Sequence, residues 1–106
     1  MPKYLFIASL TSDGVKGVMA TGGTSRQKAV SDACKDAGGT LDSFYFAFGG
    51  DDVYTTADLP DNEAAAALAL NVAASGVVGV RTVVLLTPAE VDAAAKRKVN
   101  YRPPGS

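Results

Sequence analysis

Residues 3–10, KYLFIASL, alternate so that Tyr4, Phe6, Ala8 and Leu10 share one face while Leu5 and Ile7 occupy the other. Apolar residues on both faces predict a central strand covered on both sides. Residues 11–23 contain glycines that weaken any helix, and the pattern supports one short turn there, broken at Gly22-Gly23. Residues 24–39 predict a helix. Ala29, Val30, Ala33, Cys34 and Ala37 form one apolar stripe, and Arg26, Lys28, Asp32, Lys35 and Asp36 take the remainder. Thr24 and Gln27 have the spacing of a capping box, and Gly38-Gly39 supply the stop.

Alternation returns over residues 40–48, TLDSFYFAF, with Phe44, Phe46 and Phe48 on one face and Ser43, Tyr45 and Ala47 on the other. Gly49-Gly50-Asp51-Asp52 predicts a hairpin turn into a strand over 53–59. A second helix over 60–76 is capped by Asp61, carries Glu63 in its first turn and ends at Gly76. Its alanines favour a helix and let it lie close to a sheet. Residues 77–86 read as the fourth strand. Thr87, Pro88 and Glu90 open a third, short helix over 87–98. Residues 99–106, with two prolines, form an extended tail.

The order β-α-β-β-α-β-α predicts an α+β fold of the ferredoxin-like kind, one domain over residues 1–98 followed by the tail. Two right-handed crossovers joined by a hairpin give a four-stranded antiparallel sheet in the order 4-1-3-2, with both main helices on one face. The second face then carries another apolar set. Several hundred Å2 of such surface exceeds what soluble monomers tolerate, and burying it at ~25 cal/mol per Å2 favours assembly. The expectation is a homo-oligomer, sheet packed on sheet; the third helix offers another cover for part of that face but is short and alanine-rich.

Composition narrows the chemistry. A chain of 106 residues suits one domain with its own core. A net charge of −1 leaves no electrostatic footprint for nucleic acid or an anionic membrane, so neither is expected as a partner. The single cysteine, Cys34, excludes an intramolecular disulfide and fits a reducing compartment. No signal peptide and no apolar run near the ~20 residues of a membrane span is visible, so a cytoplasmic location is expected. Histidine is absent, which removes Ser-His and Cys-His nucleophiles, the usual zinc sets and haem ligation through histidine. No metal and no cofactor is expected.

Among single residues, Arg81 stands within a valine run, where a charge should pair with an aspartate, sit at a strand edge or anchor an anion in a cleft. Tyr4, Tyr45 and Tyr54 read as wall residues whose phenols can also orient a ligand. Asp51 and Asp52, being adjacent, do not converge if they lie on a strand, and both suit a turn. Cys34 on the helix stripe reads as a small buried hydrophobe rather than a nucleophile. Gly22-Gly23-Thr24-Ser25 opens a helix as phosphate loops do, but lacks their spacing. Lys96, Arg97 and Lys98 complement the dipole of the last helix.

The blocks MPKYLFIASLTSDGVKGV, GGTSRQKAV, GGTLDSFYFAFGGDDV, PDNEAAAALALNVAASG and VRTVVLL, in that order, resemble the GYD-domain proteins over about residues 3 to 86. The resemblance implies a dimeric α+β barrel and a small bacterial or archaeal protein without an established activity. The family's Gly-Tyr-Asp-type signature falls at Phe48–Asp52. Asp52 matches its aspartate, Asp51 stands where tyrosine is expected, and the strand beginning Val53-Tyr54-Thr55-Thr56 is less aliphatic than usual. The resemblance keeps Asp52 beside Arg81, Tyr4 and Tyr45 as candidate ligand-binding residues. Three functions follow: a homo-oligomeric protein binding a small apolar or aromatic molecule at the sheet face, a cofactor-independent enzyme using Tyr, Asp or Arg, and a pure assembly protein. The enzyme rests on fold analogy alone, and binding is preferred to it.

Overall fold

The computed structural model describes all 106 residues. Strand β1 (Lys3–Leu10) is central, as its two apolar faces require. It pairs antiparallel with β3 (Val53–Asp58) on one side and β4 (Val78–Leu85) on the other, and β2 (Thr40–Phe46) pairs antiparallel with β3. The four-stranded order β2-β3-β1-β4 is 4-1-3-2 read in reverse. The β2–β3 register shifts between Leu41 and Ser43, a bulge at Asp42. Strand β2 stops at Phe46, two residues short of the expected end, and Phe48 lies fully exposed beyond it.

Four helices connect and follow the strands: α1 (Ser12–Thr21), α2 (Gly23–Asp36), α3 (Asn62–Ala74) and α4 (Pro88–Ala95). Helix α1 is ten residues long where the sequence supported a single turn. Two contacts at its start, one local and one distant in sequence, outweigh its glycines. The Thr11 hydroxyl accepts from the Gly14 amide at 3.2 Å, and the Thr11 amide donates to the Val77 carbonyl at 3.0 Å, fixing the helix start to the chain before β4. Gly14 is required there, because a Cβ at that position would lie 2.5 Å from the Val77 carbonyl oxygen.

The Thr24–Gln27 capping box does not form. Only Gly22 separates α1 from α2, so α2 begins one residue early, Gly22 is its N-cap, and Thr24 is already inside the first turn. The other caps form as their residues direct. The Asp61 carboxylate accepts from the Ala64 amide at 2.9 Å, and Thr87 and Glu90 complete a reciprocal box at the head of α4.

Strand register decides which face each side chain takes. Tyr4 pairs with Ala57 and Val84, Phe6 with Thr55 and Thr82, and Ala8 with Val53 and Val80, so this set lies on the face the helices cover. The core there is Tyr4, Phe6, Cys34, Ala57, Leu59, Ala65 and Leu68. Phe44 and Phe46 pair with Thr55 and Val53 and join the same side, their rings edge to face at 5.2 Å.

The uncovered face is therefore less greasy than the sequence suggested. Its centre is apolar, with Leu5, Ile7, Tyr45, Tyr54, Val83 and Leu85 in neighbouring register. Its two ends are charged. At one, Lys3 meets Asp42 at 3.0 Å and Asp58 at 3.3 Å; at the other, Arg81 meets Asp51 at 2.7 Å. Every residue from Leu86 onward is exposed, α4 included. That arm stretches the molecule to 55 × 33 × 23 Å, with a radius of gyration of 16.7 Å against about 13 Å for a compact chain of this length. No helix is long and apolar enough to cross a membrane.

A candidate ligand cavity between the helices and the sheet

Helix α2 packs over β2 and α3 over β4. Between them, above β1 and β3, half of the lining side chains the two helices offer are small: Ala29, Ala33 and Cys34 from α2 and Ala69 from α3, beside Arg26, Val30, Leu68 and Val72. They do not fill the space. A cavity of about 130 Å3 remains, floored by Phe6, Ala8 and Val53 and walled by Phe44 and Phe46. Of its 18 lining residues, 16 are hydrophobic, so the space favours an apolar occupant over water.

The two polar lining residues, Thr55 and Arg26, differ in what they have left to give. The Thr55 hydroxyl donates to the Ser43 carbonyl, so its proton is engaged. Arg26 is half-buried and takes part in no side-chain hydrogen bond or ion pair, whereas Lys28 on the same helix meets Asp32 at 2.8 Å. Sequence reasoning missed Arg26 as a site residue by grouping it with the solvent-facing charges. The signal was its spacing: Arg26 precedes Ala29, Val30 and Ala33 by three, four and seven residues, which puts it on the apolar stripe.

Cys34 also lines the cavity and is 1% exposed. Burial pushes its thiol pKa above the ordinary value of 9.0. Native protein at pH 8 is thus expected to react with iodoacetamide at least about a hundredfold more slowly than the chain in denaturant, because both access and thiolate are reduced. Mass spectrometry of timed samples measures this, and equal rates would contradict the burial. With a raised folded pKa, the contribution of this thiol to stability is complete below pH 9.0 and is lost as the pH rises through the folded value.

The residues singled out in the sequence do not meet in this cavity. Tyr4 is buried in the core, and its hydroxyl donates to Asn62 Oδ1 at 2.7 Å. Arg81 lies on the uncovered face, where its guanidinium donates to Asp51 at 2.7 Å, and the Ser9 hydroxyl donates to the other oxygen of that carboxylate at 2.9 Å. Those two contacts, Ser9 first, hold the Asp51 carboxyl below its ordinary pKa. Asp52 extends the sheet beyond β3: its amide donates to the Ala8 carbonyl at 2.8 Å, and its carboxylate accepts from the Leu10 amide at 2.7 Å. Both aspartates thus fasten the turn, Asp51 to β1 and β4 and Asp52 to β1. Tyr45 is 69% exposed on the uncovered face, paired with Tyr54. Arg81 and Asp51 are brought together, as are the two tyrosines, while Tyr4 stands on the opposite side of the sheet from both pairs.

The family model described as GYD domain matches residues 4–95. No curated protein and no solved structure matches the chain.

Proposed function

The chain belongs to the GYD-domain family, and from that premise we propose that it is a homodimeric binding protein that takes a small apolar molecule between its helices and its sheet. The observation that carries this reading is the 130 Å3 cavity with its 16 hydrophobic lining residues. Native interiors are close-packed, and a void of this size forgoes contact energy unless something fills it. An engineered cavity of about 150 Å3 with a similar lining binds benzene, which sets the scale of the occupant at one ring or a short branched chain.

In this reading the β-α-β-β-α-β core is a ferredoxin-like plait with α1 added after β1. The uncovered faces of two copies close on each other through Leu5, Ile7, Tyr54 and Val83, and the ion pairs at either end neutralise the charges that would resist the approach. Binding is favoured over catalysis because Arg81, Asp51 and Tyr4, the groups most suited to chemistry, are each engaged with a neighbour of the same chain.

Toluene is the simplest probe. A ligand at ten times its Kd stabilises a fold by about 1.4 kcal/mol, equivalent to roughly 6–11 °C in Tm for a domain near this size. Calorimetric melting of the native protein in buffer saturated with toluene is expected to show a rise of that order. An unchanged Tm removes the binding reading.

A further inference from the structure

We infer that Arg26 makes this cavity selective for small apolar anions, a single ring or short branched chain ending in a carboxylate. The inference rests on the reading above, that the cavity takes a ligand, and adds what kind. Only two of the lining residues are polar, and the Thr55 proton is already given to Ser43, so Arg26 is the one lining group with donors to spare. A guanidinium carries five N–H donors and loses hydration wherever it is partly buried, a cost that calls for an acceptor. The chain supplies none. Its ion pairs are Lys3 with Asp42 and Asp58, Lys28 with Asp32, and Arg81 with Asp51, and Arg26 belongs to none of them.

Geometry selects the anion. Arg26 is half-buried, so it borders both the cavity and solvent. A ring in the apolar space would leave its acid group at that border. The planar fork of arginine matches a carboxylate through two parallel N–H···O bonds, which an ammonium cannot reproduce. The volume of about 130 Å3 admits one ring and no long acyl chain.

The test compares benzoate with toluene by isothermal titration at pH 7, on the full chain and on Arg26→Gln, Arg26→Lys and Lys28→Gln. The wild type is expected to bind benzoate at least as tightly as toluene. Arg26→Gln is expected to weaken benzoate at least about tenfold, the scale of one charge-assisted contact, while toluene stays within about twofold. Arg26→Lys should fall between, and Lys28→Gln, which removes an equal charge from the same helix, should match the wild type. Toluene bound with benzoate rejected, or benzoate weakened equally by Arg26→Gln and Lys28→Gln, overturns the assignment of Arg26 and leaves the apolar cavity standing. Neither probe bound overturns both. Retained toluene binding in Arg26→Gln reports that the variant is folded.

Discussion

Under the proposed sheet-to-sheet pairing, Val83→Glu is expected to sediment as a folded monomer at concentrations where the wild type is expected to sediment as a dimer. Val83 lies on the uncovered face beside Leu5 and is 40% exposed within one protomer. A glutamate there reaches water in the isolated chain, so the fold should lose little, on the order of the ±0.5 kcal/mol typical of surface positions. In a face-to-face dimer the same side chain enters the apolar centre, once from each copy. Burying an ionised carboxylate without a partner costs several kcal/mol even after relaxation, and the nearest guanidinium, Arg81, is already held by Asp51 at 2.7 Å. Two such penalties raise the dissociation constant by at least about a thousandfold, since every 1.4 kcal/mol is a factor of ten. Sedimentation velocity gives the mass, and circular dichroism confirms the fold. A wild type that is monomeric at high micromolar concentration, or a variant that keeps the dimer mass, contradicts the sheet-to-sheet arrangement. Leu70→Glu is the control: Leu70 is 70% exposed on α3, on the opposite side of the sheet, and its substitution should leave the mass unchanged.

What the sequence made legible follows from which interactions are local. The strand alternation at 3–10 and the Asp61 and Thr87–Glu90 caps depend on residues within a few positions of each other, and they appear in the structure where their spacing puts them. The Asp51-Asp52 pair was legible as a turn for the same reason. Helix α1 was not, because its start is fixed partly by the Val77 carbonyl, 66 residues away along the chain. The choice of face was not either. Phe44 and Tyr45 have opposite orientations whatever the fold, but only the β2–β3 register places the phenylalanines under α2 and leaves Tyr45 to solvent. That choice put the partly open apolar cavity on the helix side of the sheet, away from Arg81 and Tyr45, and gave the polar position at its border to Arg26. The arginine the sequence drew attention to was conspicuous because its neighbours are valines. The arginine that lines the cavity was hidden because its sequence neighbours, Thr24, Ser25, Gln27 and Lys28, are polar and its apolar companions lie a turn away.

Gly39→Ala should cost about 3 kcal/mol or more, a large share of the 5–15 kcal/mol that holds a domain of this kind together. Gly39 is buried at the junction of α2 and β2, and its amide donates to the Cys34 carbonyl at 2.9 Å. A methyl group there would sit 1.9 Å from the Asp58 carbonyl oxygen and 2.9 Å from Leu59 Cδ2. The first of these is backbone and cannot rotate away. Relief requires moving the start of β2 off β3, where Thr40 pairs with Asp58, or displacing Leu59, which has no exposed surface. Either movement disturbs the most fully buried side chains of the core, Leu59, Cys34 and Tyr4. Differential scanning calorimetry should show Tm lowered by at least about 12 °C, from the usual 4–8 °C per kcal/mol. Gly50→Ala provides the reference. Nothing lies within 4 Å of its added methyl, so its Tm should stay within about 3 °C of the wild type. A Gly39→Ala protein that melts with the wild type would contradict the 1.9 Å approach at the α2–β2 junction.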